Sequence, residues 1–62
     1  MIRTEDRGDV RVVTLDRPAR RNALTLDGLS DLERAVRGTD SPVVYLTGAG
    51  GAFSAGADIT GF

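Results

Sequence analysis

The stretch LTGAGGAFSAGADI, residues 46–59, packs four glycines and four alanines into fourteen positions. It continues the apolar run VVYL, residues 43–46, which is typical of a strand buried on both faces of a sheet. Small residues at this place let another backbone or a ligand approach the N–H and C=O groups closely. The stretch therefore predicts a loop after a strand. The residues alone leave open whether that loop binds something through its main chain or only packs tightly.

Two phosphate-binding motifs come close to this stretch and fail at defined positions. Residues 48–53 fit the dinucleotide pattern G-x-G-x-x-G except that Phe53 replaces the third glycine, which should let helix and strand approach. Residues 51–56 have the glycine spacing of a P-loop. However, Ala57 and Asp58 follow where Lys and Ser or Thr are required, and a carboxylate there would repel phosphate.

A nucleophile elbow is the third candidate, because residues 52–56 read A-x-S-x-G around Ser54. A serine hydrolase needs a base beside the nucleophile, and the chain contains no His. The sequence therefore does not favour this chemistry, and labelling of Ser54 by a fluorophosphonate probe would be the observation that revives it.

Length and composition limit what the chain does alone. At 62 residues it holds one domain at most, and it has neither Cys nor His for disulfides or a structural metal site. We therefore expect no metal, and either packing against other protein or membership of a longer chain. Eight basic and nine acidic residues give a net charge of −1, which does not favour a nucleic-acid partner. With no apolar run near 20 residues and no signal core, we expect a cytoplasmic protein without a membrane partner.

The pattern along the chain predicts the order strand, strand, helix, strand. Residues 2–5 and 10–16 indicate two strands joined at the turn of Gly8 and Asp9, with Pro18 ending the second. The second strand has a β-branched face and a mixed face. A buried strand after the helix favours a right-handed crossover, and thus an α/β or α+β layer fold.

The helix itself is predicted from apolar residues at helical spacing, Leu26, Leu29, Leu32 and Val36. Thr25 is the predicted N-cap, and Gly38 is predicted to end the helix in a left-handed conformation.

Three blocks carry a family resemblance in the right order: VRVVTLDRP at residues 10–18, RRNALT at residues 20–25 and VVYLTGAGGAFSAGADI at residues 43–59. Through these blocks, residues 1–62 resemble the N-terminal part of the crotonase superfamily, the enoyl-CoA hydratase/isomerase family. The third block is the specific one. The interval between Asn22 and Gly48 is a few residues shorter than is usual there, which implies a trimmed connection.

The resemblance implies an α/β fold, the N-terminal portion of a crotonase-like ββα spiral. It also implies an acyl-CoA thioester whose carbonyl oxygen is held by two backbone N–H groups that stabilise an enolate. The first of these donors matches Ala57, and one such donor is worth about 3 to 4 kcal/mol of transition-state stabilisation in a well-studied case. The positions that match CoA and substrate contacts are Arg21, Ala23, Ala55, Ala57, Asp58 and Ile59.

Several side chains receive a structural interpretation instead. Arg20 or Arg21 would suit a CoA phosphate, although a solvated loop explains them equally well. We interpret Asp58 as a carboxylate that orders a helix start, Phe53 as a core residue, and Ser54 as a small residue without a nucleophilic role.

The resemblance also implies functional groups that would lie beyond Phe62. The second oxyanion donor and the two catalytic glutamates of the family's hydratases match no position of this sequence, so we expect the chain to be inactive alone. The alternative is a short non-catalytic product that binds acyl-CoA or associates with other subunits. CoA enters as part of the substrate, and no separate cofactor is implied. Full-length members form trimers or hexamers and belong to fatty acid metabolism, whereas the acyl chain and the choice between hydratase and isomerase are not encoded here.

Overall fold

The computed structural model of the chain describes residues 1–57. Strand β1 spans Ile2–Arg7, β2 spans Val10–Leu15, a 3-10 turn spans Pro18–Arg20, helix α1 spans Leu26–Arg37 and β3 spans Val43–Gly48. The three strands form one sheet in the order β1-β2-β3, with β1 antiparallel and β3 parallel to β2. The predicted order of elements and the α/β fold class are confirmed.

The first two strands form a hairpin with a two-residue loop. Gly8 has a φ of 57°, a left-handed conformation that glycine adopts without steric cost. Strand β1 runs two residues beyond its predicted end, since Asp6 and Arg7 remain paired with Arg11 and Val10. The two-residue turn thus sets the register of the hairpin, and the hydrogen-bonded pairing of β1 with β2 sets the length of β1.

Helix α1 connects two parallel neighbours, as a crossover requires. Val13 lies opposite Leu46 in the register of β2 and β3. Beyond the strand end, the Ala49 N–H donates to the Leu15 carbonyl at 2.9 Å, so the loop after β3 leaves the sheet still attached to β2.

The core lies between α1 and the mixed face of β2. Val13 and Leu15 on this face are fully buried, and Ala35 is buried above them on the helix. Arg11 shares that face and donates from Nη1 to the Ala35 carbonyl at 3.1 Å. Its stem thus lies between sheet and helix, while the β-branched face of β2 stays half-buried.

Only part of the predicted apolar stripe of α1 packs on this sheet, namely Leu32, which is half-buried one helical turn from Gly28 and Ala35. Leu26 and Leu29 are 51% and 50% exposed, whereas Gly28 and Ala35 are buried. A Cβ on Gly28 would lie 2.6 Å from the Met1 sulfur, so the flexible Met1 side chain fills the space over this glycine. Small residues make the contact because the helix sits close to the sheet.

The two ends of α1 give one confirmation and one correction. The Thr25 hydroxyl accepts from the Gly28 N–H at 3.0 Å, which confirms the predicted N-cap. The left-handed conformation predicted for Gly38 is wrong, since its φ is −82° and its N–H donates to the Arg34 carbonyl in the regular helical pattern. Glycine is required there by space, because a Cβ would lie 2.7 Å from that carbonyl oxygen.

The expectation that β3 is buried on both faces is also not met in residues 1–57. Tyr45 is 59% exposed, and Val43 and Leu46 on opposite faces are exposed as well. Strand β3 is the edge of the sheet, and α1 packs over β1 and β2 instead. The described residues therefore leave much of the apolar surface of β3 uncovered. Within those same residues, no helix has the length and apolar character needed to cross a bilayer.

Candidate functional site

The glycine-rich loop folds back over the end of β3. The chain turns at Gly50 and Gly51, with φ values of 76° and 84°. A Cβ on Gly48 would collide with the carbonyl oxygens of Ala52 and Phe53, which pass directly above it. The crowding of small residues in the sequence thus corresponds to close contact between two backbone segments.

The loop then pairs with the segment after the 3-10 turn. The Ala55 N–H donates to the Arg21 carbonyl at 2.9 Å, and the Leu24 N–H donates to the Gly56 carbonyl at 2.8 Å. Leu24 and Ala57 form a parallel β-bridge. Residues 21–24 and 55–57, which are about 30 residues apart in the sequence, therefore lie side by side and are joined by backbone hydrogen bonds.

This pairing brings together four of the predicted site residues, Arg21, Ala23, Ala55 and Ala57. The predicted positions Asp58 and Ile59, and the helix start expected there, lie outside the described residues.

The direction of the Ala57 N–H follows from the bond that Gly56 accepts. The Gly56 carbonyl and the Ala57 N–H belong to one planar peptide unit, and no peptide bond of residues 1–57 is cis. In a trans peptide the two groups point in opposite directions. Because the carbonyl points to the Leu24 N–H, the Ala57 N–H points away from the 21–24 segment, and it donates to no group of residues 1–57.

Asn22 is the residue of this region whose role sequence reasoning missed. It is fully buried, and its side-chain Oδ1 accepts from the Arg17 N–H at 2.8 Å. Its Nδ2 donates to the Ala49 carbonyl at 2.8 Å and to the Ala52 carbonyl at 2.7 Å, on either side of the glycine turn. Among residues 1–57, no buried side-chain polar atom lacks a hydrogen-bond partner.

A signal for Asn22 exists in the sequence. It is the single Asn of the chain and lies in a short polar segment between a strand and a helix. Asn is one of the few residues other than glycine that adopt the left-handed conformation, and Asn22 has a φ of 60°. The residue type and its position indicate a turn, but they do not reveal the distant carbonyls that its side chain binds.

The remaining side chains of the loop differ in their roles. The Ser54 hydroxyl donates to the Asn22 carbonyl at 3.0 Å and accepts from the Gly56 N–H at 3.1 Å, so it fastens the loop. The interpretation of Phe53 as a core residue is wrong for residues 1–57, since its side chain is 54% exposed. The loop lies at the margin of the sheet, beyond the apolar layer under α1.

Two arginines, Arg17 and Arg21, belong to the segment that precedes α1, and five ion pairs of the described residues involve the strands or the helix. Arg21 is exposed, and the Arg17 guanidinium donates to the Ala23 carbonyl at 3.1 Å, which supports the same segment from the other side. Five carboxylates of the described residues form ion pairs with arginines: Glu5, Asp6, Asp16, Asp31 and Glu33.

The pair of Asp6 and Arg11 is the one with a clear electrostatic consequence. Arg11 donates from Nε to Oδ1 at 2.8 Å and from Nη2 to Oδ2 at 3.0 Å, and these hydrogen bonds lower the pKa of the Asp6 carboxyl. The carboxylate raises the pKa of Arg11 in turn. Within residues 1–57, no group of three or more acidic side chains lies close enough to hold a metal ion.

Comparison with known proteins gives a consistent result. The family model described as enoyl-CoA hydratase/isomerase matches residues 5–62. An enoyl-CoA hydratase from Mycobacterium tuberculosis is 34% identical with a TM-score of 0.90, over 98% of this chain and 29% of its own. An enoyl-CoA hydratase from Thermoplasma volcanium is 40% identical with a TM-score of 0.84, over 97% of this chain and 25% of its own.

The chain thus spans between a quarter and three tenths of the length of these two structures. Both the family match and the structural likeness include the β-hairpin, the crossover and the glycine-rich loop, and they identify the fold as the N-terminal portion of the crotonase fold. The chain belongs to the enoyl-CoA hydratase/isomerase family.

Proposed function

We propose that the chain binds an acyl-CoA thioester and polarises its carbonyl through the Ala57 N–H, as one half of an oxyanion hole. The observation that carries the proposal is the bond from the Leu24 N–H to the Gly56 carbonyl, which turns the Ala57 N–H away from the 21–24 segment. A fixed donor at this place costs no reorganisation when negative charge develops on the thioester oxygen. Family membership supplies the substrate class.

The neighbouring residues suit the rest of such a ligand. Ala23 and Ala55 have small side chains, so a pantetheine chain would approach their backbone without obstruction. Arg21 is exposed at the start of the same segment, and a guanidinium matches a phosphate in charge and geometry. Asp58 and Ile59 remain proposed contacts.

We propose binding without turnover for the chain alone. Hydration of an enoyl-CoA requires groups that move a proton and activate water, and an acid for that role needs a pKa near the working pH. Asp6 is unsuited to that role because Arg11 lowers its pKa, and the resemblance matches neither catalytic glutamate to a residue of this sequence. We therefore expect CoA-thioester binding and no detectable hydration of an enoyl-CoA.

Chemical synthesis offers the sharpest test, because it allows one backbone N–H to be removed without a change of side chain. Replacing Ala57 by lactate converts its amide to an ester, which removes the N–H and also makes the Gly56 carbonyl a weaker acceptor for the Leu24 N–H. In the unmodified protein we expect binding of butyryl-CoA to lower the carbonyl stretching frequency of a 13C-labelled thioester. The ester at position 57 should abolish that change.

The matched control is the same replacement at Ala19, which is exposed on the 3-10 turn. This variant should bind and polarise the thioester as the unmodified protein does. If the unmodified protein neither binds butyryl-CoA nor changes its carbonyl frequency, the proposed function is wrong. If the ester at position 57 keeps the full change, the donor is elsewhere.

A second candidate, association with further protein, is favoured by the exposed apolar surface. Seven large apolar side chains are exposed on α1, β3 and the loop: Leu26, Leu29, Val36, Val43, Tyr45, Leu46 and Phe53. Monomeric proteins rarely leave large contiguous apolar areas in water. If this surface drives association, Leu29→Glu should lower the sedimentation coefficient at high concentration and the adjacent exposed Ser30→Glu should not.

A further inference from the structure

We infer that Asn22 is the positioning residue that aims the Ala57 N–H at the thioester carbonyl. This inference rests on the proposed function and adds to it the side chain that sets the geometry of the donor. Asn22 makes no hydrogen bond to Ala57. It acts through backbone groups whose hydrogen bonds lead from its amide to the peptide unit of Ala57.

The side chain of Asn22 first fixes where the loop begins. Its Oδ1 is held by the Arg17 N–H, which orients the amide plane, and both donated bonds then reach loop carbonyls. Since Ala49 and Ala52 flank the two glycines, the turn between them is held at both ends. A glycine turn without such a clamp would sample many conformations.

The backbone of Asn22 then fixes where the loop ends. Its carbonyl accepts from the Ser54 hydroxyl at 3.0 Å, and the same hydroxyl accepts from the Gly56 N–H at 3.1 Å. Its N–H donates to the Arg17 carbonyl at 2.9 Å, which closes the turn that presents Leu24 to Gly56. One residue therefore holds both ends of the segment from 49 to 56.

The chemistry of this position requires Asn in particular. The site needs one acceptor and two donors on a short side chain, together with a φ of 60°, and a primary amide supplies them. Aspartate has the same shape and tolerates the same φ, but its oxygens cannot donate to the Ala49 and Ala52 carbonyls. Asn22→Asp therefore removes the two donations and sets a buried carboxylate against the two carbonyl oxygens, whereas Asn22→Gly removes the donations without adding a charge.

The test compares Asn22→Asp and Asn22→Gly with Val13→Ala as a control for lost stability. Val13 is fully buried under α1 and has no part in the loop. Each protein is saturated with 13C-labelled butyryl-CoA below its unfolding transition, and the carbonyl frequency and dissociation constant are measured. Amide hydrogen exchange of Leu24 and Ala55 is followed in the free proteins.

For both Asn22 variants we expect weaker binding by roughly tenfold, loss of most of the carbonyl shift at saturation, and faster exchange at Leu24 and Ala55. For Val13→Ala we expect the full shift at saturation. If the wild type shifts the carbonyl and both Asn22 variants retain that shift, the inference is overturned and the proposed function stands. If the wild type shows no shift, the proposed function fails first. If neither Asn22 variant folds while Val13→Ala does, Asn22 is structural and the inference is overturned.

Discussion

The molecule has two regions that are held together by different forces. The sheet-helix region, comprising β1, β2 and α1, is stabilised by apolar contact around Val13, Leu15 and Ala35. The loop region, residues 17–24 and 49–57, is stabilised by hydrogen bonds that converge on Asn22. Within the first region, hydrogen bonds fix the register of β1 and β2, but the packing of α1 on them depends mainly on apolar contact, which is not directional. The loop region has a defined backbone geometry because hydrogen bonds are directional. A backbone N–H that acts as a donor to a ligand needs such a fixed direction.

Removing the clamp should produce the largest loss of stability. Asn22→Leu leaves the Arg17 N–H and the carbonyls of Ala49 and Ala52 without their partner in a partly buried place. Because a buried group without a hydrogen bond costs about 1 to 3 kcal/mol, we expect the free energy of unfolding to fall by about 3 kcal/mol or more in urea denaturation.

Asn22→Gly separates the loss of the hydrogen bonds from backbone strain. Glycine adopts the φ of 60° without strain, whereas leucine does not. If Asn22→Gly is as stable as the wild type, the hydrogen bonds of the clamp contribute nothing, and the contrast between the two regions disappears.

Truncating the apolar core should have the second largest effect. Val13→Ala removes two buried methyl groups and leaves a small cavity, which should lower the free energy of unfolding by about 2 kcal/mol. Thermal unfolding followed by circular dichroism measures this. Val10→Ala on the half-buried face of β2 is the control and should lose less than half as much.

Removing the helix cap should have a smaller effect. Thr25→Ala deletes the hydroxyl that accepts from the Gly28 N–H, and such caps contribute about 1 kcal/mol. Thr25→Ser keeps the acceptor and should restore most of the stability. Equal loss in both variants would show that the methyl group, not the hydrogen bond, matters at this position.

The pH dependence of stability should show the smallest effect. Because Arg11 lowers the pKa of Asp6 in the folded protein, the stabilisation is complete above the unfolded pKa of about 3.9 and is lost as the pH falls through the lower folded value. The wild type should therefore lose more melting temperature than Asp6→Asn between pH 6 and pH 3.

Asp9→Asn, at the hairpin turn, is the control for a general change in charge. A slope in Asp6→Asn as steep as that of the wild type would contradict the assignment of this pH dependence to the pair of Asp6 and Arg11.

Local patterns predicted the sheet-helix region well. Alternating residues indicated both strands of the hairpin, Gly8 marked the turn, and Thr25 marked the start of α1. The same patterns did not show which face of the helix packs inward. Gly28 and Ala35 are buried because α1 and the sheet pack together, and periodicity along the helix alone does not contain that packing. Periodicity identifies a surface that must be covered, and it does not identify what covers it.

The candidate site was predicted in its parts and not in its arrangement. The three blocks of resemblance located Ala57, Ala55, Ala23 and Arg21, and the structure brings their segments side by side. Asn22 stood in the middle of the second block without a role. Its function depends on carbonyls 27 and 30 residues away, and no local pattern contains that distance.

The sequence by itself determined the family, the order of the elements and the place where side chains had to be small. The order of the elements and the place of the small residues follow from residue type and spacing, which act over a few neighbours, whereas the family follows from the three blocks of resemblance. Only the tertiary structure decided that Gly48 lies beneath the returning loop, that the Leu24 N–H binds the Gly56 carbonyl, and that the Ala57 N–H therefore points away from the 21–24 segment. The physical reason is that a hydrogen bond between distant segments fixes the direction of a peptide plane, and that direction exists only after the segments have met.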